Sequence, residues 1–134
     1  MNQRLALADQ FLADAQDLLE RGRLRSALSR AYYAVYHLCV LLFEQHGLEP
    51  QHFAGINKRP AQMWEHRIIK VEFFHQFVVK RKLFEWQRGV ILRQLYSDRL
   101  RADYRPEAVI SESYARGVFK SASDLFSDIR KVVV

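Results

Sequence analysis

The stretch Ser26–His37, SALSRAYYAVYH, with LCVLLF directly behind it, constrains this chain more than any other part. Arg30, Tyr33 and His37 recur at spacings of three and four, so a helix places them on one stripe. Ala27, Leu28, Ala31, Tyr32, Ala34 and Val35 crowd the positions between them. A helix apolar on most sides must be covered on most sides. The stretch therefore predicts a central helix wrapped by others, its basic group, phenol and imidazole partly shielded from water. Two readings of such a stripe stand side by side. Its polar groups are satisfied by a neighbouring helix, or they belong to a functional site, where buried ionisable groups also gather.

The rest of the chain supplies the wrapping. Asn2 to Glu20 reads as an amphipathic helix, with Leu5, Ala8, Leu12, Ala15 and Leu19 in one stripe and Asp9, Asp14 and Asp17 facing out. Arg21-Gly22 stops it, and the central helix runs from about Leu24 to Gln45 with Gly47 behind its end. The turn between them is so short that the two must be antiparallel neighbours. Leu48 to Pro60 collects Pro50, Gly55, Asn57 and Pro60 and reads as a loop, with a turn of helix around His52 and Phe53. A third helix follows over about Ala61 to Val79, with Met63, Ile68, Val71 and Phe74 or Phe77 as core positions. A fourth spans roughly Leu83 to Asp103, weakened but not broken by Gly89, with Leu92, Leu95 and Leu100 pointing inward. The last, near Ser111 to Val132, sets Tyr114, Val118, Ser121 or Ala122, Leu125 and Ile129 on one side, and Ser111 caps it. No strand pattern or repeat appears. The expected fold is all-α, an up-and-down bundle of four to five helices in a single domain spanning residues 1–134.

Composition bounds the function classes. At 134 residues the chain holds one core and not two comfortable domains, and 49% apolar with 27% charged residues excludes wholesale disorder. The lone Cys39 forms no internal disulfide and reads as a small core residue of a protein from a reducing compartment. The start MNQRLALADQ has no long apolar core of a signal peptide, and LCVLLF is far shorter than a membrane span, which points to a cytoplasmic protein with no membrane contact. The formal charge is +6, and the segment Lys58–Arg88 alone sets eight Lys/Arg against three Glu. Its densest part, Lys80, Arg81 and Lys82, is a candidate nucleic-acid surface. The same cations at a helix C-terminus also complement the helix dipole, or form a solvated face. Nine Phe and six Tyr are more large side chains than a small core readily hides, so a homodimer is expected.

A second polar stripe lies on the fourth helix. Tyr96, Arg99 and Asp103 fall at spacings of three and four, with Tyr104 adjacent. Burying either stripe alone would leave charges unpaired, so Arg30, Tyr33 and His37 are expected to share one polar pocket with Arg99, Asp103 and Tyr104, within a subunit or across a dimer. Such a set is a satisfied polar network or a cradle for a phosphate or nucleotide.

Three segments in order, GRLRSALSRAYYAVYHLCVLLFEQHG, EHRIIKVEFFHQFVVKRKL and LYSDRLRADY, resemble the HEPN domain family, named for nucleotide binding in higher eukaryotes and prokaryotes. The resemblance spans nearly the whole chain and includes the AYYAxxH signature and the later R-x-x-A-D-Y. It implies a helical bundle, usually a homodimer, often encoded beside a minimal nucleotidyltransferase in toxin–antitoxin pairs. Many members are metal-independent ribonucleases with a site at the dimer interface, built on an Arg followed by four to six residues and a His. The matching positions here are Arg99 to Tyr104, an Arg-x4-Tyr with the histidine replaced. Tyr titrates near pH 10 and is a poor general acid or base at pH 7. Arg30 to His37 satisfies Arg-x6-His but lies on the second helix, away from the motif's place. The A-D-Y branch associated with nucleotidyltransferases is the closer match, and His66, after Trp64 and Glu65, matches a histidine often seen in it.

Other chemistry has no signature. The histidines show no paired ligand spacing, so neither a metal nor a cofactor is expected, and there is no phosphate-binding Gly loop and no Gly-x-Ser-x-Gly. The aromatics Phe73, Phe74, Phe77, Phe84 and Trp86 read as core or dimer surface rather than a base-stacking platform. The leading reading is a module that binds a partner protein and a nucleotide or RNA through Arg30, Tyr33, Tyr96 and Asp103. The alternatives are a ribonuclease toxin acting through Arg99, Tyr104 and His37, and a dimerisation module with no ligand.

Overall fold

In the computed structural model, which describes residues 2–53 and 64–133, the chain forms five α-helices, and no strand occurs among those residues. Helix α1 spans Gln3–Glu20, α2 Leu24–Gln45, α3 His66–Phe73, α4 Trp86–Tyr104 and α5 Glu112–Val132. A 3-10 turn covers Pro50–His52, and α3 continues into a π-helical segment, Phe74–Lys80.

Helix α2 is the axis of the bundle and packs against α1, α3, α4 and α5. Six consecutive residues of it, Leu38 to Phe43, are all buried. Since successive side chains step about 100° around a helix, a buried run of that length needs neighbours on every side. The sequence-based expectation of a wrapped central helix therefore holds. Helix α1 contributes Ala8, Ala15 and Leu19 to the core, and α5 contributes Ala115, Val118, Ala122, Leu125, Phe126 and Ile129. Ion pairs tie the outer helices together, Arg130 to Asp9 at 3.2 Å and Arg88 to Asp128 at 2.7 Å. No helix among the described residues is long and apolar enough to cross a membrane.

Local chemistry sets the ends. The Asn2 side chain accepts from the Arg4 and Leu5 amides and caps α1. Gly22 and Gly47 close α1 and α2 in the left-handed region, at φ +75° and +74°. At the first, the Gly22 and Arg23 amides donate to the Leu19 and Leu18 carbonyls; at the second, Gly47 and Leu48 donate to Glu44 and Phe43. This is the bond pattern for which glycine is selected at a helix end. Ser111 caps α5 by accepting from the Tyr114 amide, as its position suggests.

Three expectations need adjusting. Helix α4 begins at Trp86 rather than Leu83, because the Leu83 and Phe84 amides are taken up by the Phe77 carbonyl, closing the π-helical segment instead of opening a new helix. Phe73 joins Phe77 in the core, whereas Phe74 and Val71 are half-buried, and Leu100 is half-buried as well. The third helix starts at His66 among the described residues, with Trp64 and Glu65 ahead of it not helical, and the expected start at Ala61 and the core position Met63 lie outside them. Gly89 is buried against Phe74, whose ring would stand 2.9 Å from a β-carbon there, so this glycine serves close packing.

Candidate functional site

The site is built where α2, α4 and the start of α3 meet. Tyr32, Tyr33 and Tyr36 fall on α2 within four residues, Tyr96 and Arg99 come from α4, and His66 is the first residue of α3. The Tyr36 hydroxyl donates to the Trp64 carbonyl at 2.6 Å, which pins the chain just ahead of His66. Tyr32 then hydrogen-bonds His66 Nδ1 at 2.8 Å. The imidazole lies among the rings of all four tyrosines, with centroid separations from 4.7 Å to Tyr36 to 5.8 Å to Tyr96. Aromatic edges and faces at these spacings attract one another. Among the described residues no protein group bonds His66 Nε2.

Arg99 is the cation of this cluster and is only 8% exposed. Its Nη2 donates to the Tyr33 hydroxyl at 2.6 Å, and its Nε stands 3.0 Å from Asp103 Oδ2. The Nε contact is a close ion pair but is too poorly aligned to count as a hydrogen bond. The guanidinium also lies over the Tyr33 and Tyr104 rings, at 5.0 and 5.5 Å. Ser29 donates to the same Asp103 oxygen at 3.1 Å. Tyr104 projects at the rim, 66% exposed.

Burial sets the protonation states. Desolvation raises the Tyr32 and Tyr33 phenols above their ordinary value, with Arg99 opposing, and raises Tyr36 to about 12. His66 is pushed below the ordinary imidazole range, first by burial and then by the Arg99 charge. At neutral pH Tyr32, Tyr33 and Tyr36 are thus neutral phenols and His66 a neutral imidazole, beside the Arg99 guanidinium that pairs with Asp103. Arg99 is the group of this cluster with the charge and fork geometry to pair with an anion, and Asp103 takes that place within the chain.

The two predicted stripes meet only in part. Tyr33 meets Arg99, which in turn pairs with Asp103 and lies over Tyr104, and Tyr96 joins through the aromatic cluster. Arg30 and His37 turn to α1 instead. Arg30 lies over the Phe11 ring at 4.6 Å, and His37 Nδ1 accepts from Arg4 at 2.9 Å with its ring edge-on to Phe11. The reason is angular. Residues three and seven apart are offset by about 60° and 20° on a 3.6-residue helix, so Tyr33 falls on the α4 side while His37 stays above Arg30. The pocket shared by all six residues is therefore not formed within the chain. Lys80 and Lys82 are exposed and make no ion pair among the described residues, whereas Arg81 is occupied by Gln76 and the Phe77 ring.

Sequence reasoning missed several of these roles. Tyr32 and Tyr36 read as crowding or as background, yet they position His66. Their spacing of four was the available signal. Arg4, which holds His37, had no signal beyond being basic on an amphipathic helix. No group of three or more His, Cys, Asp or Glu among the described residues could hold a metal ion.

The family model described as the HEPN domain matches residues 1–132, from the start of the chain through α5: the chain belongs to that family. Among its relatives is the protein named "Putative toxin MJ0605" of Methanocaldococcus jannaschii, 26% identical over 129 residues, which are 96% of this chain and 85% of that protein. A second is UPF0332 protein PH1297 of Pyrococcus horikoshii, 32% identical over 56 residues, 42% of this chain and 39% of that one.

Proposed function

We propose that the chain acts as one HEPN-like domain, the toxin-side member of a prokaryotic toxin–antitoxin pair. It works as a cytoplasmic homodimer that binds a nucleotidyltransferase partner protein and an RNA or nucleotide, and it does not cut RNA. The name carried by the Methanocaldococcus relative supports the toxin assignment. The observation that carries the non-cleaving reading is the state of Arg99. Its guanidinium is committed to Asp103 and Tyr33, and the neighbouring Tyr104 is an exposed phenol. Phenols as a class are poor general acids and bases at pH 7, where the ribonuclease chemistry calls for an imidazole. His37, which with Arg30 gives an Arg-x6-His spacing, is held by Arg4 on the α1 side of α2. The test is incubation of the purified protein with end-labelled RNA in EDTA. Intact RNA, with a complex retained on a native gel, is expected. Cleavage lost in Arg99→Ala overturns the proposal.

One observation favours RNA cleavage as a second reading. His66, neutral at pH 7 and with Nε2 open among the described residues, lies against the Tyr33 ring that faces Arg99. In that reading His66, not His37, is the base. Cleavage that survives His37→Ala and vanishes in His66→Ala would establish it.

A further inference from the structure

Outside the Arg99 site, the structure holds a groove of about 470 Å³ between α4 and α5. Its walls are mostly apolar, with Val90 and Leu95 from α4 and Val118 from α5, and Gly117 leaves its α5 wall open. A β-carbon on Gly117 would meet nothing within 4 Å. Into this apolar surround is set one carboxylate. Asp98 lines the groove and is 2% exposed. Its Oδ1 accepts from the Tyr114 hydroxyl at 2.5 Å and from Gln94 Nε2 at 3.3 Å, and Arg101 Nη2 stands 3.6 Å from that same oxygen. Oδ2 has no hydrogen-bond partner among the described residues.

A buried carboxylate oxygen without a donor is costly, and such oxygens are nearly always satisfied. Arg101 does not do it: the guanidinium lies over the Tyr114 ring at 4.8 Å, and its own Nε is also without a partner. The volume is that of a small-molecule site, and apolar walls with one placed polar group are the usual composition of such sites. In an apolar groove a charged donor gains more from a carboxylate than a neutral one does.

We propose that the α4–α5 groove binds a small organic cation, an apolar body ending in an ammonium group, with the ammonium on the Asp98 carboxylate. Tyr114, exposed at the rim and bonded to Asp98, is the side chain that swings to admit it. Asp98 and Arg99 are adjacent, about 100° apart around α4, so this site and the Arg99 cluster open on different faces of the helix and the two readings stand independently.

The probe is 2-phenylethylamine, titrated at pH 7 into the isotopically labelled full chain and followed by amide chemical shifts. Its neutral isostere 2-phenylethanol and the anion 3-phenylpropionate serve as comparisons. Saturable shifts centred on Val90, Leu95, Gly117 and Val118 are expected for the amine. Asp98→Asn, and replacement of the amine by the alcohol, should each weaken binding about tenfold, the loss of one charge-assisted contact. Asp98→Asn also alters a buried hydrogen bond, so a second variant guards the test. Gly117→Leu fills the groove where there is space and exchanges a poor helix former for a good one, so it should fold at least as stably as the parent and lose binding. Absence of saturable shifts in the groove, or equal binding of all three probes, overturns the proposal. So does a Gly117→Leu variant whose mass falls by half, since the groove would then be the seat of a second copy of the chain.

Discussion

His37 is surrounded by apolar and cationic groups, and that fixes how acid acts on the fold. Burial first, and the Arg4 guanidinium second, lower its pKa from 6.5 to about 4. The folded state therefore resists a proton that the unfolded chain takes up near pH 6.5. The stabilising contribution of neutral His37 is complete above that pH and is lost as pH falls towards 4. His66 is shifted in the same direction. Melting temperature measured from pH 7 down to pH 5, above the main carboxylate titrations, should fall in the parent and fall less in His37→Gln; parallel curves would refute the assignment. Arg99→Ala tests the other half of the site. It leaves Asp103 with Ser29 alone and the Tyr33 hydroxyl without its charged donor, and chemical denaturation should report a loss of about 1–2 kcal/mol. At this scale the sequence was half legible. The spacing that joins Tyr96, Arg99 and Asp103 on one α4 stripe is local and could be read. Which neighbour each side of the Arg30, Tyr33, His37 stripe would face depends on where α1 and α4 dock, and a 60° offset decided it.

Two helix ends, those of α4, depend on bonds that no local pattern announces. Arg25 shows this most clearly. From the first turn of α2 its guanidinium donates to the Ala102, Arg105, Pro106 and Ala108 carbonyls, with a longer contact to Arg101, and so satisfies the orphan acceptors at the end of α4 and in the turn to α5. Arg25→Ala should cost about 1–3 kcal/mol by denaturation, since several part-buried or exposed acceptors lose one shared charged donor at once. Arg25→Lys should restore little of it, because an ammonium cannot span carbonyls arranged for a planar fork. Lys82 marks the opposite case. It takes φ +55° after the π-helical segment, where the Leu83 amide reaches back to the Phe77 carbonyl at 2.8 Å. A residue with a β-carbon is strained there, so Lys82→Gly should raise stability by about 0.5–1 kcal/mol, measured by thermal unfolding. The number and order of the helices followed from periodicity and from Gly22, Gly47 and Ser111. The start of α4 did not, because Leu83–Glu85 carries no breaker, while the left-handed Lys82 and the bonds of the Leu83 and Phe84 amides to the Phe77 carbonyl keep the helix from starting there.

For the whole molecule, charge and exposed apolar surface locate the proposed contacts with other macromolecules. Trp86 is 59% exposed, and Val79 and Leu83 beside it in sequence are exposed too. Light scattering at tens of micromolar should give twice the chain mass of 15.9 kDa, and a monomer mass would count against the dimer. RNA binding, if the proposed function holds, has to draw on the +6 net charge, most of which gathers between Lys58 and Arg88. The three cations of Lys80–Lys82 are not equivalent within it. Arg81 is tied to Gln76 and packed on Phe77, so its charge is held close to the protein, whereas Lys80 and Lys82 extend into solvent. Each phosphate neutralised on a single strand adds about 0.7 to the slope of log affinity against log salt. The double change Lys80→Gln, Lys82→Gln should therefore flatten that slope by about 1.4 and weaken binding at low salt. Arg81→Gln should act differently, lowering stability through the lost Gln76 contacts while moving the slope less. Filter binding across a salt series separates these outcomes. An unchanged slope in the double variant removes this end of the bundle from the RNA surface and leaves the Arg99 edge to carry the contact.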